Sequence, residues 1–413
     1  MIFINNLKKR YHFFISIMND NKNRIYLNDE NRLYMNILIR KSNNIDCKYI
    51  NYLEFTNLQN LKNRVFDSNN WDKVKKFSND YELIHIPNKK TRSDSIALYQ
   101  PLSRSYFKMV EIIQEFDLLN IKDQDFKSSH LAEGPGGFLE AIHNLSHKKG
   151  FKNYKHYGIT LYSSNKDIPG WIKALDFIKY NKDIEISYGN DKTGNLYKSN
   201  NIYSFKNQVG KGSCNIVTGD GGFDYSLDYN KQEQLSYRLI LCEIITCLYI
   251  QKIGGSFVCK IFDTYTMATI KLLYFLACFY DEFYIYKPLT SRPANSEKYV
   301  ICKGFRGIDY KYLDNLLSVI KLWEDNDEHI YINDIFECEI PFSFIKQIKN
   351  FNKDNSNEQI KTINKAIQLN RGKNNLSALS KIIDKQVQKA TEWCNKYNQP
   401  INNKSNFIRN KNY

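Results

Sequence analysis

The chain has 413 residues, of which 42% are hydrophobic and 25% are charged, a composition that supports a packed core and excludes disorder throughout. Its 59 Lys and Arg exceed its 44 Asp and Glu, which gives a formal charge of +15. This charge favours a polyanionic partner, either a nucleic acid or an anionic membrane surface, although an Asn/Lys/Tyr/Ile-rich codon bias would produce the same composition. The 30 Tyr and 25 Phe provide faces on which single-stranded bases could stack.

The sequence contains no segment that we expect to cross a membrane or to direct secretion. The most apolar stretches, residues 239–250 and 272–280, are shorter than the roughly 20 apolar residues that a bilayer-spanning helix needs. The nine cysteines form no Cys-x-x-Cys pair, and several lie in apolar runs where cysteine acts as a small hydrophobic residue. We therefore predict an intracellular protein in a reducing compartment, without a structural zinc site.

Composition divides the chain into three parts. Residues 1–95 are polar and rich in Asn and Lys, and we interpret them as an N-terminal extension of mixed structure. Residues 96–310 alternate apolar strand-like runs with helical stretches, which indicates an α/β domain. Residues 311–413 are predicted to be basic and mainly helical, with a disordered end from residue 402. From residue 341 onward, 14 Lys and Arg face 4 Asp and Glu, so this region is either a solvated helical appendage or a nucleic-acid clamp.

A glycine-rich turn is the first sign of a ligand site. Residues 130–142 have the pattern of a strand end, a tight turn and a helix, and the turn contains Gly134, Gly136 and Gly137. Glycines there allow backbone amides to approach a ligand, with a helix N-terminus behind them. A dinucleotide-binding turn would need a further glycine where Leu139 stands. The turn therefore favours a nucleoside cofactor without a pyrophosphate, S-adenosylmethionine first, or else it is a plain structural turn.

The helix after this turn carries His143 and His147, whose spacing of four residues puts them on one helix face. Such a pair can bind a metal ion when a third ligand lies nearby. The sequence shows no third ligand close to this pair, so we predict no metal site.

The segments that follow have the lengths and periodicities of alternating strands and helices. In chain order they are a strand at 157–161 that ends without an acid, a strand at 214–218 that opens onto residues 219–223, an amphipathic helix at 231–253 that the glycines at 254 and 255 end, a buried strand at 256–262, a helix at 264–279, and strands at 283–287 and 297–303. This alternation predicts a doubly wound sheet whose site lies at the C-terminal ends of its strands.

Four charged residues stand out against this pattern. Lys260 lies in an otherwise apolar strand, Asp220 lies between glycines at a strand end, Lys108 lies in a helical stretch, and Glu297 begins the last strand. Each has an ordinary structural interpretation, such as a lysine whose amine reaches solvent or an aspartate that stabilises a turn. Taken one at a time, none of them identifies a catalytic site.

Five blocks of sequence together resemble the FtsJ-like methyltransferases. They are residues 103–108, 133–138, 218–223, 255–263 and 287–297. Within that family the chain is most similar to the cap-specific mRNA nucleoside-2′-O-methyltransferases of eukaryotes and large DNA viruses, over about residues 81–306. The resemblance implies a Rossmann-like, S-adenosylmethionine-dependent methyltransferase fold, with a mostly parallel seven-stranded sheet, an antiparallel last strand, and N-terminal and helical C-terminal extensions.

The resemblance also implies roles for individual residues. The family's catalytic Lys-Asp-Lys-Glu tetrad falls on Lys108, Asp220, Lys260 and Glu297. The residues implied in cofactor binding are Glu133, Gly134, Pro135, Gly136, Gly137, Phe138, Thr160, Asn195, Leu196 and Asp220. Those implied in RNA contacts are Arg104, Ser291, Arg292 and Asn295, and no metal is implied. Asn195 departs from the family pattern, which has an aspartate at that position.

The implied activity is methylation of a ribose 2′-hydroxyl near the mRNA cap, by in-line transfer from S-adenosylmethionine. The implied partners are capped mRNA and unnamed capping proteins, without a membrane, and the expected place is the cytoplasm, a viral factory or virion if the protein is viral, or the nucleus. Two alternatives remain: an inactive methyltransferase fold that binds RNA or stimulates a partner, and a ribosomal RNA ribose methyltransferase. Base N-methylation is disfavoured, because the Asn/Asp-Pro-Pro-Tyr/Phe signature is absent.

The protonation state of Lys260 decides its chemistry in this scheme. Burial in an apolar strand and a second cation at Lys108 are expected to lower the pKa of Lys260, while Asp220 and Glu297 oppose the change. A neutral Lys260 would accept the hydroxyl proton, whereas a charged Lys260 would orient the hydroxyl and stabilise the forming alkoxide.

Overall fold

The computed structural model describes residues 23–27, 34–42, 47–66, 71–88, 90–165, 168–223, 229–325, 331–371 and 376–409. Its strands, numbered in chain order, are β1 (Asn23–Ile25), β2 (Asn36–Ser42), β3 (Asp125–Leu131), β4 (Asn153–Ile159), β5 (Ile184–Ser187), β6 (Cys214–Gly219), β7 (Gln251–Ile261), β8 (Tyr280–Tyr286), β9 (Lys298–Phe305) and β10 (Tyr331–Glu337).

The helices, numbered in the same way, are α1 (Tyr52–Phe66), α2 (Trp71–Phe77), α3 (Ser105–Glu115), α4 (Gly137–Lys149), α5 (Leu175–Tyr180), α6 (Ser199–Val209), α7 (Gln232–Ile250), α8 (Met267–Ala277), α9 (Tyr310–Glu324), α10 (Phe342–Arg371), α11 (Leu376–Lys396) and α12 (Asn406–Arg409). In the part of the chain that these elements cover, no helix combines the length and the apolar character needed to cross a bilayer.

A sheet of eight strands forms the centre of the protein, in the order β1-β8-β9-β7-β6-β3-β4-β5. Strands β3 to β7 are parallel to their neighbours among themselves, and β9 is inserted antiparallel between β7 and β8. The predicted Rossmann-like fold, with a mostly parallel sheet and an antiparallel last strand, is thereby confirmed. The eighth strand was not predicted: β1, from the N-terminal extension, pairs with β8, and three residues are too few for a periodic signal.

The prediction of an amphipathic helix over residues 231–253 is wrong in two ways: the helix ends earlier, and it is not amphipathic. Helix α7 ends at Ile250, and β7 begins at Gln251 and continues through both glycines. Gly255 lies where a side chain would collide with the Gln251 amide, only 2.2 Å away, so the glycine serves the strand instead of ending a helix. The helix is also buried on almost every side, because it packs between the sheet and α9, and it is therefore not amphipathic.

The N-terminal and C-terminal regions pack against each other. Strand β2 pairs antiparallel with β10, and α1 and α2 lie against α10. Leu58 and Leu61 of α1 and Ile363 of α10 share a small buried cluster. The three-part division of the chain stays a prediction, but the two flanking regions contact each other as well as the sheet domain.

Helix α11 is held against α3 by buried aromatic residues. Trp393 and Tyr397 are both buried, and the Trp393 indole donates to Glu111 Oε2 at 3.0 Å. Glu111 also accepts from the Tyr286 hydroxyl and from the Leu289 amide, each at 2.6 Å. The interpretation of this region as a solvated appendage is therefore wrong for α11, because one face of the helix belongs to the protein core.

The disorder predicted from residue 402 is wrong for residues 402–409, while residues 410–413 lie outside the described ranges. The Asn402 amide donates to the carbonyl oxygens of Ser93 and Ser95, at 2.7 and 3.0 Å, and the Ser405 hydroxyl donates to that of Asp94 at 2.8 Å. Short polar side chains are typical of disordered ends, but here they satisfy the backbone acceptors of the turn at residues 93–95.

Candidate active site

The ends of three parallel strands bring the candidate site together. Leu131 at the end of β3 is in register with Gly219 at the end of β6, which is in register with Cys259 of β7. The Asp220 amide donates to the carbonyl oxygen of Leu131 at 3.3 Å, so the loop after β6 lies against the loop after β3. Lys260 follows Cys259 and therefore emerges at the same edge.

The glycine turn between β3 and α4 needs glycine for two separate reasons. Gly136 has φ of +102°, which is in the left-handed region, and it precedes the first residue of α4. A side chain at Gly134 would lie 2.1 Å from the Pro169 carbonyl oxygen, and one at Gly137 would lie 2.2 Å from the Ser105 hydroxyl. The turn thus packs tightly on its outer side and presents the N-terminal amides of α4 on the other.

Glu133 is buried at the start of this turn. Its carboxylate accepts a hydrogen bond from the Thr218 hydroxyl, and its Oε2 lies 3.2 Å from Nδ1 of His130. Burial raises the pKa of Glu133 well above its usual range, and the Asp220 carboxylate reinforces this change against the opposing Thr218 hydrogen bond. Glu133 therefore connects the glycine turn to the loop that carries Asp220.

The other residues predicted to bind the cofactor line the neighbouring strand end. The Thr160 hydroxyl accepts from the Gly134 amide at 3.3 Å, and Gly194 approaches Thr160 so closely that a side chain there would lie 1.9 Å from its carbonyl oxygen. Asn195 accepts from the Tyr197 amide at 2.9 Å, and Leu196 is buried. Residues 160 and 194–196 thus lie beside the glycine turn, and we call them its rim. The side-chain oxygen of Asn195 already accepts a hydrogen bond within its own turn.

The four charged residues that stood out in the sequence lie side by side as two ion pairs. Lys108 Nζ is 2.6 Å from Glu297 Oε1, and Lys260 Nζ is 3.3 Å from Asp220 Oδ1. Lys260 Nζ also donates to the Asp220 carbonyl oxygen at 2.8 Å. Each of the four side chains is 13% exposed, so the group is largely shielded from water but still reachable from solvent.

The charges of this group stabilise one another. Burial alone would raise the pKa of Glu297, but the ammonium groups of Lys108 and Lys260 lower it to about 2. Burial alone would lower the pKa of Lys260, but the carboxylates of Asp220 and Glu297 raise it above its usual value. The predicted lowering of the Lys260 pKa is therefore wrong, because the two carboxylates outweigh burial and the second lysine. Lys260 is an ammonium group at neutral pH.

Sequence reasoning missed Tyr299, and it singled out Ser291 without its contact to a carboxylate. The Tyr299 hydroxyl donates to Asp220 Oδ1 at 3.0 Å, and the Ser291 hydroxyl donates to Glu297 Oε1 at 2.9 Å. Tyr299 lies directly opposite Lys260 in the pairing of β9 with β7. Glu297 and Tyr299 are two residues apart, so strand periodicity could have placed both on one face of the sheet.

Two further buried ionisable groups support the loops of the site. Glu243 of α7 accepts from the Gly221 amide at 3.1 Å and the Cys259 thiol at 3.3 Å, and burial raises its pKa to about 8. The Lys287 amine donates to the carbonyl oxygens of Asn295 and Glu297, both at 2.7 Å, and burial lowers its pKa to about 7. A charged residue inside an apolar helix was the signal for Glu243.

The residues predicted to contact RNA have different environments. The Arg104 guanidinium donates to the carbonyl oxygens of Tyr81 and Glu82, at 2.8 and 2.9 Å. Ser291 is buried and donates to Glu297. Both residues thus have contacts within the protein, and their contact with RNA stays a prediction. Arg292 pairs with Glu82 at 2.7 Å.

Two clefts flank the segment that leads to Glu297. One is bordered by Arg292, Asn295, Trp71, Lys62 and Lys75, so the N-terminal extension supplies part of its wall. The other lies beside residues 287–293 and is bordered by lysines of α10 and α11. These lysines are Lys361, Lys365 and Lys385.

Comparison with known proteins agrees with the geometry. Residues 101–305 match the family model of the FtsJ-like methyltransferases. Cap-specific mRNA (nucleoside-2′-O-)-methyltransferase 1 of Xenopus laevis is 32% identical over 279 residues, which are 61% of this chain and 31% of that protein. The protein of the same name from Homo sapiens is 36% identical over 203 residues, 46% of this chain and 23% of that protein.

The chain therefore spans less than a third of the length of these curated relatives. Among solved structures, a ribosomal RNA methyltransferase from Plasmodium falciparum matches 50% of this chain and 99% of its own, with 18% identity and a TM-score of 0.35. That likeness is too remote to bear on function.

The decrease in the free energy of unfolding at low pH should depend on Glu297. Because its pKa is about 2 in the folded protein, against 4.5 ordinarily, its stabilising effect is complete above about pH 4.5 and is lost as the pH falls towards 2. We expect wild type to lose about 2 kcal/mol more free energy of unfolding than Glu297→Gln between about pH 5.5 and about pH 3. Urea unfolding followed by circular dichroism measures this difference. Glu358→Gln, at an exposed position on α10, should follow wild type; parallel curves for Glu297→Gln and wild type would contradict the assignment.

Proposed function

The chain contains an FtsJ-like methyltransferase domain over residues 101–305, and from this we propose that it methylates the ribose 2′-hydroxyl of a cap-proximal nucleotide of mRNA. The observation that carries the proposal is the meeting of the Lys108–Glu297 and Lys260–Asp220 pairs beside the glycine turn. The names of the relatives support the cap-proximal acceptor. An mRNA substrate would place the protein inside the cell, in the cytoplasm or the nucleus.

The glycine turn and its rim fit the cofactor of this family, S-adenosylmethionine. Gly134 and Gly137 have no room for a side chain, and Gly136 turns the backbone so that the amides of α4 are presented to a ligand. Thr160 and Leu196 would close the adenosine side of the rim. S-adenosylmethionine supplies an electrophilic methyl group on a sulfonium, so the acceptor oxygen needs only orientation and the loss of its proton.

The charged group would then act on the acceptor hydroxyl. Lys260 is an ammonium group, so its role is to donate to the 2′-oxygen and to stabilise negative charge as the hydroxyl proton leaves to water. Lys108 adds a second positive charge, and Asp220 and Glu297 hold both amines in place. Of the two roles predicted for Lys260, the raised pKa favours alkoxide stabilisation over proton acceptance.

The cleft next to Glu297 supports a capped 5′ end as the substrate. Trp71 provides an aromatic face on which a positively charged methylated guanine would stack, a cation–π arrangement. Lys75 and Arg292 border the same cleft and would face phosphates. Asn295 connects this cleft to the charged group, because it precedes Glu297 by two residues.

The first test is the substrate itself. We expect the protein to transfer radiolabelled methyl groups from S-adenosylmethionine to short capped RNAs much faster than to the same RNAs with a 5′ triphosphate, because the cleft contributes binding only when a cap is present. Nuclease mapping of the product should locate the label on a cap-proximal ribose. Equal transfer to both RNAs, or label on an internal ribose or a base, would refute the cap-proximal assignment and favour the ribosomal RNA alternative.

The second test concerns Lys260. We expect Lys260→Ala to lower kcat by at least about 100-fold, because the charge that stabilises the forming alkoxide is removed. Binding of S-adenosylmethionine, measured by calorimetry, should be unchanged. Lys252→Ala, on the same strand but 43% exposed and paired with Asp123, is the matched control. If Lys260→Ala retained half of the wild-type rate, Lys260 would have no part in the mechanism. If the wild-type protein itself showed no activity, the alternative of an inactive, RNA-binding subunit would be favoured.

The third test concerns the basic second cleft. We expect the triple variant Lys361→Gln, Lys365→Gln and Lys385→Gln to bind capped RNA more weakly, because these lysines would face the phosphates. The slope of log affinity against log salt should fall by up to about 2, since each lost phosphate contact accounts for about 0.7. Fluorescence anisotropy across a salt series measures it, with Lys321→Gln on α9 as control. An unchanged slope would show that RNA does not follow this cleft.

A further inference from the structure

We propose that His143, His147, His156 and Asp183 form a binding site for a divalent transition metal, with Zn²⁺ as the best match. The four residues come from three elements: the first two lie on α4, His156 lies on β4, and Asp183 immediately precedes β5. The site is separate from the glycine turn and the charged group, and the proposal is independent of the proposed function. The sequence-based expectation that the histidine pair lacks a third ligand nearby is wrong.

The donor atoms have the spacing of a four-coordinate site. All four lie within 4.8 Å of one another. The Nε2 atoms of His143, His147 and His156 are 3.4, 2.8 and 3.6 Å from Asp183 Oδ2. Tetrahedral zinc bound at about 2.0–2.1 Å places its ligand atoms about 3.3 Å apart, so only small adjustments would be needed. Three imidazoles with one carboxylate are a donor set that zinc accepts.

Two buried nitrogens of this cluster have the Asp183 carboxylate as their nearest charged group. Nε2 of His143 and Nε2 of His156 are both buried, and neither makes a hydrogen bond with the residues that the structure describes. A buried polar atom without a partner is costly, so an orphaned pair that faces a common point indicates a ligand. The imidazole of His156 is fully buried.

A second layer of contacts orients the histidines. Nδ1 of His156 is 2.8 Å from the Ser128 hydroxyl, so the other ring nitrogen is directed into the cluster. The His147 ring stacks on Tyr154 with ring centroids 4.0 Å apart, and the His143 ring contacts Phe177 edge-on. Metal-binding histidines are commonly fixed in this way through the nitrogen that does not bind the metal.

The site has both an entry path and a structural consequence. His147 is 42% exposed, so an ion can reach the cluster from solvent. Four protein ligands would leave no open position, which is typical of a structural zinc site and not of a catalytic one. A bound ion would clamp α4 onto β4 and onto the start of β5, and would thereby stabilise the fold.

The test uses the full chain without an affinity tag, freed of metal by a chelator. We expect the protein to take up one equivalent of Zn²⁺ in a calorimetric titration and to unfold at a higher temperature once loaded, because the ion binds the folded state alone. With Co²⁺ as probe, the visible absorption should be that of a four-coordinate site. Uptake of no zinc at micromolar concentration, or a six-coordinate cobalt spectrum, would overturn the proposal.

Two variants locate the site. His147→Ala and Asp183→Asn should each weaken zinc binding by at least about tenfold and remove the thermal shift. Both positions are partly exposed, so the variants are expected to fold, and near-ultraviolet circular dichroism checks this. Glu185→Gln is the matched control, because this exposed carboxylate lies two residues from Asp183 and pairs with Lys155. If both variants bound zinc as wild type does, the ion would be held elsewhere, for instance by cysteines, and the proposal would fail.

Discussion

Charge pairing away from water is the constraint on which the candidate active site depends. Lys108, Lys260, Asp220 and Glu297 meet where three parallel strands end. None of these four charges could be kept there without a partner of opposite charge. Tyr299 and Ser291, both buried, add a hydrogen bond to each carboxylate. The charge pairing explains why the site is preorganised, since the amines are held by fixed partners before a substrate arrives.

Much of the sheet domain could be predicted from the sequence because its strands and helices follow simple periodicities. The position of Lys260 next to Asp220 follows once parallel strands are assumed, because their C-terminal ends meet at one edge. The protonation state of Lys260 could not be predicted, since it depends on the distances to two carboxylates brought by other elements. The same reason hid the cluster at His156 and Asp183, because His156 of β4 and Asp183, which precedes β5, join the α4 pair only after folding.

The flanking regions were the hardest to predict because their role lies in contacts with distant parts of the chain. Composition marked residues 1–95 as an extension, yet β1 completes the sheet edge and α1 supplies Lys62, which donates to Asp263 at 3.1 Å. Composition likewise suggested a disordered end where Asn402 is hydrogen bonded to the turn at residues 93–95. Polar residues carry no periodic signal, so their partners become visible only in three dimensions.

Glu111 links α11 to the segment that leads to Glu297. It lies three residues after Lys108 on α3, and it accepts hydrogen bonds from Trp393 of α11 and from the backbone of the segment that leads to Glu297. The same carboxylate accepts from the Tyr286 hydroxyl, so one buried acceptor joins elements that lie almost three hundred residues apart along the chain. Removing the Trp393 indole would therefore leave all four charged residues in place and still take away one of the hydrogen bonds that hold the helix of Lys108.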